Sequence, residues 1–168
     1  MQKTVRYIII FITAVLLQVL LFDNLNLSPY VFPLVYTAFI LWLPMNISHA
    51  ALILYSLILG VSVDLLSGIP GLNTIASLTS GFIRPVAINI SVSKDFSRDS
   101  IMPLPYNIGN GKWLRYAASV ITVHCLLYFF FEAASFRYAG FTLLRAAGSI
   151  VSTTLLIWIA ALLIPSDN

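Results

Sequence analysis

The stretch from Phe141 to Ile164, FTLLRAAGSIVSTTLLIWIAALLI, runs for 24 residues with a single charge, Arg145. A bilayer's hydrocarbon core is about 30 Å thick and a helix rises about 1.5 Å per residue, so about 20 mostly apolar residues cross it. This stretch is therefore read as a membrane-spanning helix. Working back along the chain, Trp113 to Phe131 is a second run of the same kind, and four further runs approach the required length: Tyr7 to Phe22, Tyr30 to Leu43, His49 to Leu66 and Gly71 to Val92. The run from Tyr30 is short, interrupted by Pro33 and stopped by Pro44, so it is expected to be tilted or partly interfacial. Backbone amides facing lipid must be satisfied within their own segment, and none of the runs alternates polar with apolar as a barrel strand would. The expected fold is an all-α integral membrane protein, a single domain built as a six-transmembrane-helix bundle.

Composition agrees. Of 168 residues, 60% are hydrophobic and 9% charged, against about 25% charged in an ordinary soluble domain. Too few polar side chains are present to coat a water-soluble globule, and the mean hydropathy is +0.95. A pI near 9.2 would suit nucleic acid only if the cations formed a solvated stripe, and here they are scattered between apolar runs. The lone cysteine, Cys125, excludes an intrachain disulfide and is read as a small buried hydrophobe. Lys3 and Arg6 before an apolar run mimic a secretory signal, but no small-x-small cleavage pattern follows Phe22, so this run is expected to remain as the first span.

Charge placement gives the orientation, because Lys and Arg in short loops stay on the cytoplasmic side. With six crossings, Lys3, Arg6, Lys94, Arg98, Lys112 and Arg115 fall on one side and Arg137 and Arg145 on the other, a bias of six to two. Five crossings would place Lys94, Arg98 and Lys112 outside. Both termini and the loop from Lys94 to Lys112 are expected in the cytoplasm.

Ionisable groups at bilayer depth are costly and are the natural site candidates. Asp64 and Arg145 each fall roughly 5 Å below the outer surface, so they either form an interhelical ion pair or, separately, cap the turn at Ser67 and Gly68 and reach the headgroups. Arg84, roughly 20 Å down its helix, is too deep for Asp64 and is expected to snorkel inward, where Pro85 bends the helix. Gln18 and His124 lie near the midplane and are placed to hydrogen-bond across the bundle. His124 lacks the titratable neighbours of a proton relay, which favours a structural role. Gly148 and Ser152, one turn apart, suit close helix packing. Asp95 and Asp99 do not make a metal site, since alternating signs at this spacing mark a solvated turn. With no GxSxG, HExxH or Gly-rich phosphate loop and no paired intramembrane acids, neither an enzyme nor a cofactor or metal site is expected.

The stretch from Gly60 to Pro85, GVSVDLLSGIPGLNTIASLTSGFIRP, resembles the signature of the MreD family of rod shape-determining proteins. There a helix ends in an Asp-containing turn, a short Gly/Pro loop follows, and the next helix runs to a basic residue. Chain length, the six runs and the later stretch EAASFRYAGFTLLRAAGS are also similar to that family. The resemblance implies a bacterial inner-membrane scaffold of the wall-elongation (rod) complex, binding MreC and, through it, the MreB filament, the RodA glycosyltransferase and the elongation transpeptidase. It also implies a fold like the substrate-binding subunits of energy-coupling-factor vitamin transporters. Asp64, Gly68, Gly71, Asn73 and Arg84 are the positions that match; Gly68 and Gly71 would permit the outer turn and Asn73 would cap the next helix. The alternative is a vitamin-carrier subunit, whose coupling motif is an Ala pair four apart on the first helix. No such pair occurs anywhere in this chain.

Overall fold

The computed structural model describes residues 2–25, 28–69, 71–92, 102–134 and 139–164. In chain order, α1 (Gln2–Leu16) continues into a π-helical turn, Leu17–Phe22. A single 3-10 turn, Val35–Thr37, then leads into the short α2 (Ala38–Trp42), followed by α3 (His49–Ser67), α4 (Leu72–Ser91), α5 (Pro105–Ile108), α6 (Asn110–Ala133) and α7 (Ala139–Leu163). Four helical stretches are long and apolar enough to cross a membrane: Thr4–Phe22, His49–Ser67, Asn110–Ala133 and Ala139–Leu163.

The run from Tyr30 to Leu43 departs from expectation, because it is not one helix. Pro33 has no amide to donate and disfavours the helical conformation at Phe32, so the chain stays extended until Val35 and becomes helical only to Trp42. This least regular segment is nevertheless the centre of the molecule. Every residue from Pro33 to Leu43 is buried, and Leu34, Tyr36, Ile40 and Leu41 are fully enclosed. Around it α3 packs on α4, α4 on α6 and α6 on α7, while α1 touches mainly α2 and the 3-10 turn. Between α1 and α3 an apolar groove of about 430 Å³ remains, floored by Phe39 and walled by Tyr7, Phe11 and Tyr55.

Small residues set the closest approaches. A Cβ on Gly60 of α3 would stand 2.5 Å from Thr74 Cα of α4, and one on Gly81 of α4 would overlap Ser56 of α3. The polarity of the bundle is inverted relative to a water-soluble protein. Gln18, Ser77, Ser80, Arg84, His124, Ser149 and Thr153 are buried, whereas Leu20, Leu65, Ile90 and Leu163 stand 68 to 79% exposed. In water so much exposed apolar surface would be a liability; against lipid it is the required solvent match. Of the loop from Lys94 to Lys112, residues 94–101, with the expected solvated turn at Asp95 and Asp99, lie outside the described residues, while Met102, Leu104 and Ile108 are packed into the bundle and α6 begins at Asn110.

Candidate functional site

A segment that is neither helix nor sheet leaves backbone amides and carbonyls that lipid cannot satisfy, so each must find a partner inside the protein. Side chains from four surrounding elements supply them. Val31 N donates within its own turn to Ser28 O at 3.2 Å. Phe32 N donates to Ser149 Oγ and Leu34 N to Thr153 Oγ1, both at 3.0 Å and both on α7. Val35 N and Tyr36 N donate to Gln18 Oε1 at 2.8 and 3.4 Å. The same amide's Nε2 donates to Pro33 O at 3.2 Å and to Asp23 Oδ1 at 2.8 Å, which employs both protons and both lone pairs of Gln18. The π-helical turn that carries Gln18 closes with Asp23 N donating to Gln18 O at 2.8 Å. Asp23 Oδ2 in turn accepts from Ser67 Oγ at the end of α3, at 2.5 Å.

The far end of α2 is held by Arg84 of α4. Its Nη2 donates to Leu43 O and, at 3.4 Å, to Pro44 O; Nη1 donates to Pro44 O at 3.4 Å; and Nε donates to Tyr116 Oη at 2.9 Å. Tyr116 passes its own proton to Leu41 O at 2.9 Å. Arg84 thus places a cation where the carbonyls of a helix C-terminus concentrate negative potential. It does not snorkel: at 1% exposure it is buried in the bundle, and α4 runs unbroken through Pro85 to Ser91.

Asp64 of α3 takes the other role available to a buried charge. Its Oδ1 accepts from Asn73 N at 3.0 Å and Asn73 Nδ2 at 2.9 Å, and its Oδ2 accepts from Thr74 N at 2.8 Å and Thr74 Oγ1 at 2.5 Å. The carboxylate therefore caps the first turn of the next helix, where unpaired amides and the helix dipole both favour an anion. Asn73, matched as a capping residue, is itself inside α4 and is held by Asp64. The turn between the helices is built as expected, with Gly68 and Gly71 at φ of 69° and 77°, conformations that L side chains rarely adopt.

Asn73 links this cap to the bundle centre. Because its Nδ2 donates to Asp64, its Oδ1 faces Tyr36, whose hydroxyl donates to it at 2.7 Å. That single hydroxyl proton being used, His124 Nε2 is the donor in the 2.8 Å contact with Tyr36 Oη, while Nδ1 lies 2.9 Å from Ser80 Oγ, whose own hydroxyl donates to Ala76 O at 2.8 Å. A donor chain therefore runs His124, Tyr36, Asn73, Asp64, with Ser80 against the far side of the His124 ring. Gln18 and His124 each bond across the bundle, but to the central segment rather than to one another.

Two further expectations change. Asp64 and Arg145 do not pair. Arg145 donates from Nη1 to Glu132 Oε2 of α6 at 2.9 Å and lies over the Phe129 ring, 5.0 Å from its centroid, with both ion-pair side chains about one-third exposed. Gly148 is a close-approach residue, but what it admits is the Tyr30 carbonyl of the central segment rather than another helix. Ser152 bonds, among the described residues, to Ser149 O in its own helix, at 3.1 Å. The working pair on α7 is Ser149 and Thr153, also four apart. Gly60, Tyr36 and Tyr116 were equally unmarked as site residues. Ser56-xxx-Gly60 and Ser77-xxx-Gly81 carry a readable small-residue signal for the α3 and α4 contact. Compared with protein-family models, with curated proteins and with solved structures, the chain gives no match.

Proposed function

We propose that this chain is a non-enzymatic scaffold subunit of a bacterial wall-elongation complex of the MreD kind, held in the inner membrane with both termini in the cytoplasm. The observation that carries the reading is what the motif residues do. Asp64, Asn73 and Arg84, the polar positions that match in the stretch resembling MreD, are engaged in bonding one element of the bundle to the next. That is what a rigid lateral platform requires: internal polar bonds that fix one arrangement of the bundle, and an apolar outer face that meets neighbouring helices within the bilayer.

Six crossings suit this reading. Residues 31 to 44, part extended and part helical, can reach about 32 Å at the usual rises, close to the thickness of the hydrocarbon core. The segment passes from contacts with α7 at Phe32 and Leu34 to contacts with α6 and α4 at Leu41 and Leu43, as a second crossing enclosed by the others would.

Purification of the tagged chain in mild detergent from a rod-shaped host tests the reading. A bitopic partner with a large periplasmic domain, of the MreC kind, is the expected companion. Deletion is expected to round the cells without removing a catalytic activity from their membranes. An ATPase module or a retained vitamin in the preparation would replace the scaffold with the carrier reading, and unaltered rods after deletion would end it.

A further inference from the structure

Arg84 carries a full positive charge in the interior of an apolar bundle, and its partners among the described residues are dipoles: the carbonyls of Leu43 and Pro44 and the hydroxyl of Tyr116. No carboxylate among the described residues pairs with it. Of its five N–H groups, one on Nη1 has no acceptor among those bonds. A guanidinium removed from water without a counter-charge is expensive, and a buried cation is ordinarily paired. The structure also gives this cation an opening. A pocket of about 120 Å³ lies against Arg84, between Pro85, Ile88 and Asn89 of α4 and His49 and Leu52 of α3. His49 and Asn89 are exposed at its rim, so it communicates with the surroundings at the end of the bundle where α3 begins. The volume holds several water-sized groups. The first amides of α3, beside His49, add positive potential at the mouth.

We infer that this pocket binds the phosphodiester headgroup of an anionic membrane lipid, with Arg84 as the buried counter-charge and His49 and Asn89 as polar contacts at the rim. The shared chemistry is a phosphate oxygen accepting from Arg84, and free inorganic phosphate could in principle supply it. The surroundings favour a lipid. Val86 and Ile90, next in sequence to the lining residues Pro85 and Asn89, do not line the pocket but stand 56 and 79% exposed, so the outer face of this same turn of α4 is the apolar surface that acyl chains would cover. The inference needs only that the chain is membrane-embedded and is independent of the scaffold role.

The full-length chain in nanodiscs of phosphatidylcholine, with or without a fifth of phosphatidylglycerol, provides the test, read as the thermal unfolding midpoint and as lipid retained in native mass spectra. Phosphatidylglycerol is expected to raise the midpoint and to be retained about tenfold over phosphatidylcholine. Asn89→Glu sets a carboxylate at the mouth that neutralises Arg84 and repels phosphate, so both effects should vanish in it and persist in Asn89→Gln. Should Asn89→Glu fold poorly, His49→Glu makes the same change at the first residue of α3, where an acid favours the helix. Retention of phosphatidylglycerol by the Glu variants at the wild-type level would overturn the site, since general attraction to a cationic protein would then explain it. So would the absence of any shift in wild type with either phosphatidylglycerol or inorganic phosphate. A shift given in full by inorganic phosphate, with phosphatidylglycerol adding nothing, would keep the phosphate site and overturn its lipid source.

Discussion

Asp64→Asn removes one charge and changes the shape of the side chain hardly at all, which makes it a clean probe of the α3 and α4 junction. In the wild type four donors converge on the carboxylate, two of them the backbone amides of Asn73 and Thr74. An Asn side chain offers one oxygen, which can keep the two bonds from Asn73. Its NH2 then faces Thr74. The Thr74 hydroxyl can rotate to accept, but the Thr74 amide cannot, and a buried amide without an acceptor costs about 1–3 kcal/mol. Loss of the anion at the start of α4 adds about 0.3–1 kcal/mol, or more in a partly buried setting. The expected loss is therefore about 1–4 kcal/mol, measured as reversible unfolding by dodecyl sulfate in mixed micelles. Asp64→Ala should cost more, because all four donors are orphaned. Arg145→Ala, at a pair about one-third exposed on each side, should cost under about 1 kcal/mol. An Asp64→Asn variant within about 0.5 kcal/mol of wild type would refute the cap, and an Arg145→Ala loss equal to that of Asp64→Ala would point to an ion pair between them.

Three other outcomes follow from the central segment. Gly148→Leu should drive a side chain into the Tyr30 carbonyl and cost at least the 1–3 kcal/mol typical of overpacking, whereas Ser152→Ala should be nearly silent in the same unfolding assay. Ser149→Ala and Thr153→Ala each orphan one amide, so each should lower stability by about 1–3 kcal/mol and raise hydrogen exchange at Phe32 or Leu34 respectively; unchanged exchange at both would contradict the assignment. Tyr36→Phe strips the partner from both Asn73 and His124 and should destabilise by a similar amount, and the loss should not add to that of His124→Phe in a double-mutant cycle.

The long helices were legible because membrane crossing writes itself into the sequence as uninterrupted apolar length. The expected His49 to Leu66, Trp113 to Phe131 and Phe141 to Ile164 correspond to α3, α6 and α7 with ends shifted by at most three residues. The Gly68 and Gly71 turn was legible for a similar local reason. What was not legible depends on partners distant in the chain. A short apolar run cannot be told from a helix by periodicity, and the acceptors that let the start of Tyr30 to Leu43 remain irregular lie 17 residues before Val35 and 117 and 119 residues after Phe32 and Leu34. Arg84 was expected to snorkel and instead stays buried, because its partners are backbone carbonyls and the Tyr116 hydroxyl, and no side-chain pattern announces them. Asp64 was read either as one member of a pair or as the cap of its own turn at Ser67 and Gly68, and neither alternative looked to the helix that follows. A row of free amides at the start of the neighbouring helix is the same attraction without a letter in the sequence.

The enclosure of the irregular segment also dictates an order of assembly. Phe32 and Leu34 emerge from the ribosome well over a hundred residues ahead of Ser149 and Thr153, the hydroxyls that accept their protons. Until the last helix has been synthesised and laterally released from the insertion machinery, those two amides have no native acceptor, and early hydrocarbon entry would leave them bare. On this account, stable burial of the stretch should await the C-terminal helix. Nascent chains stalled before α7 should therefore hold their N-terminal third in a protease-sensitive state that completion of synthesis resolves.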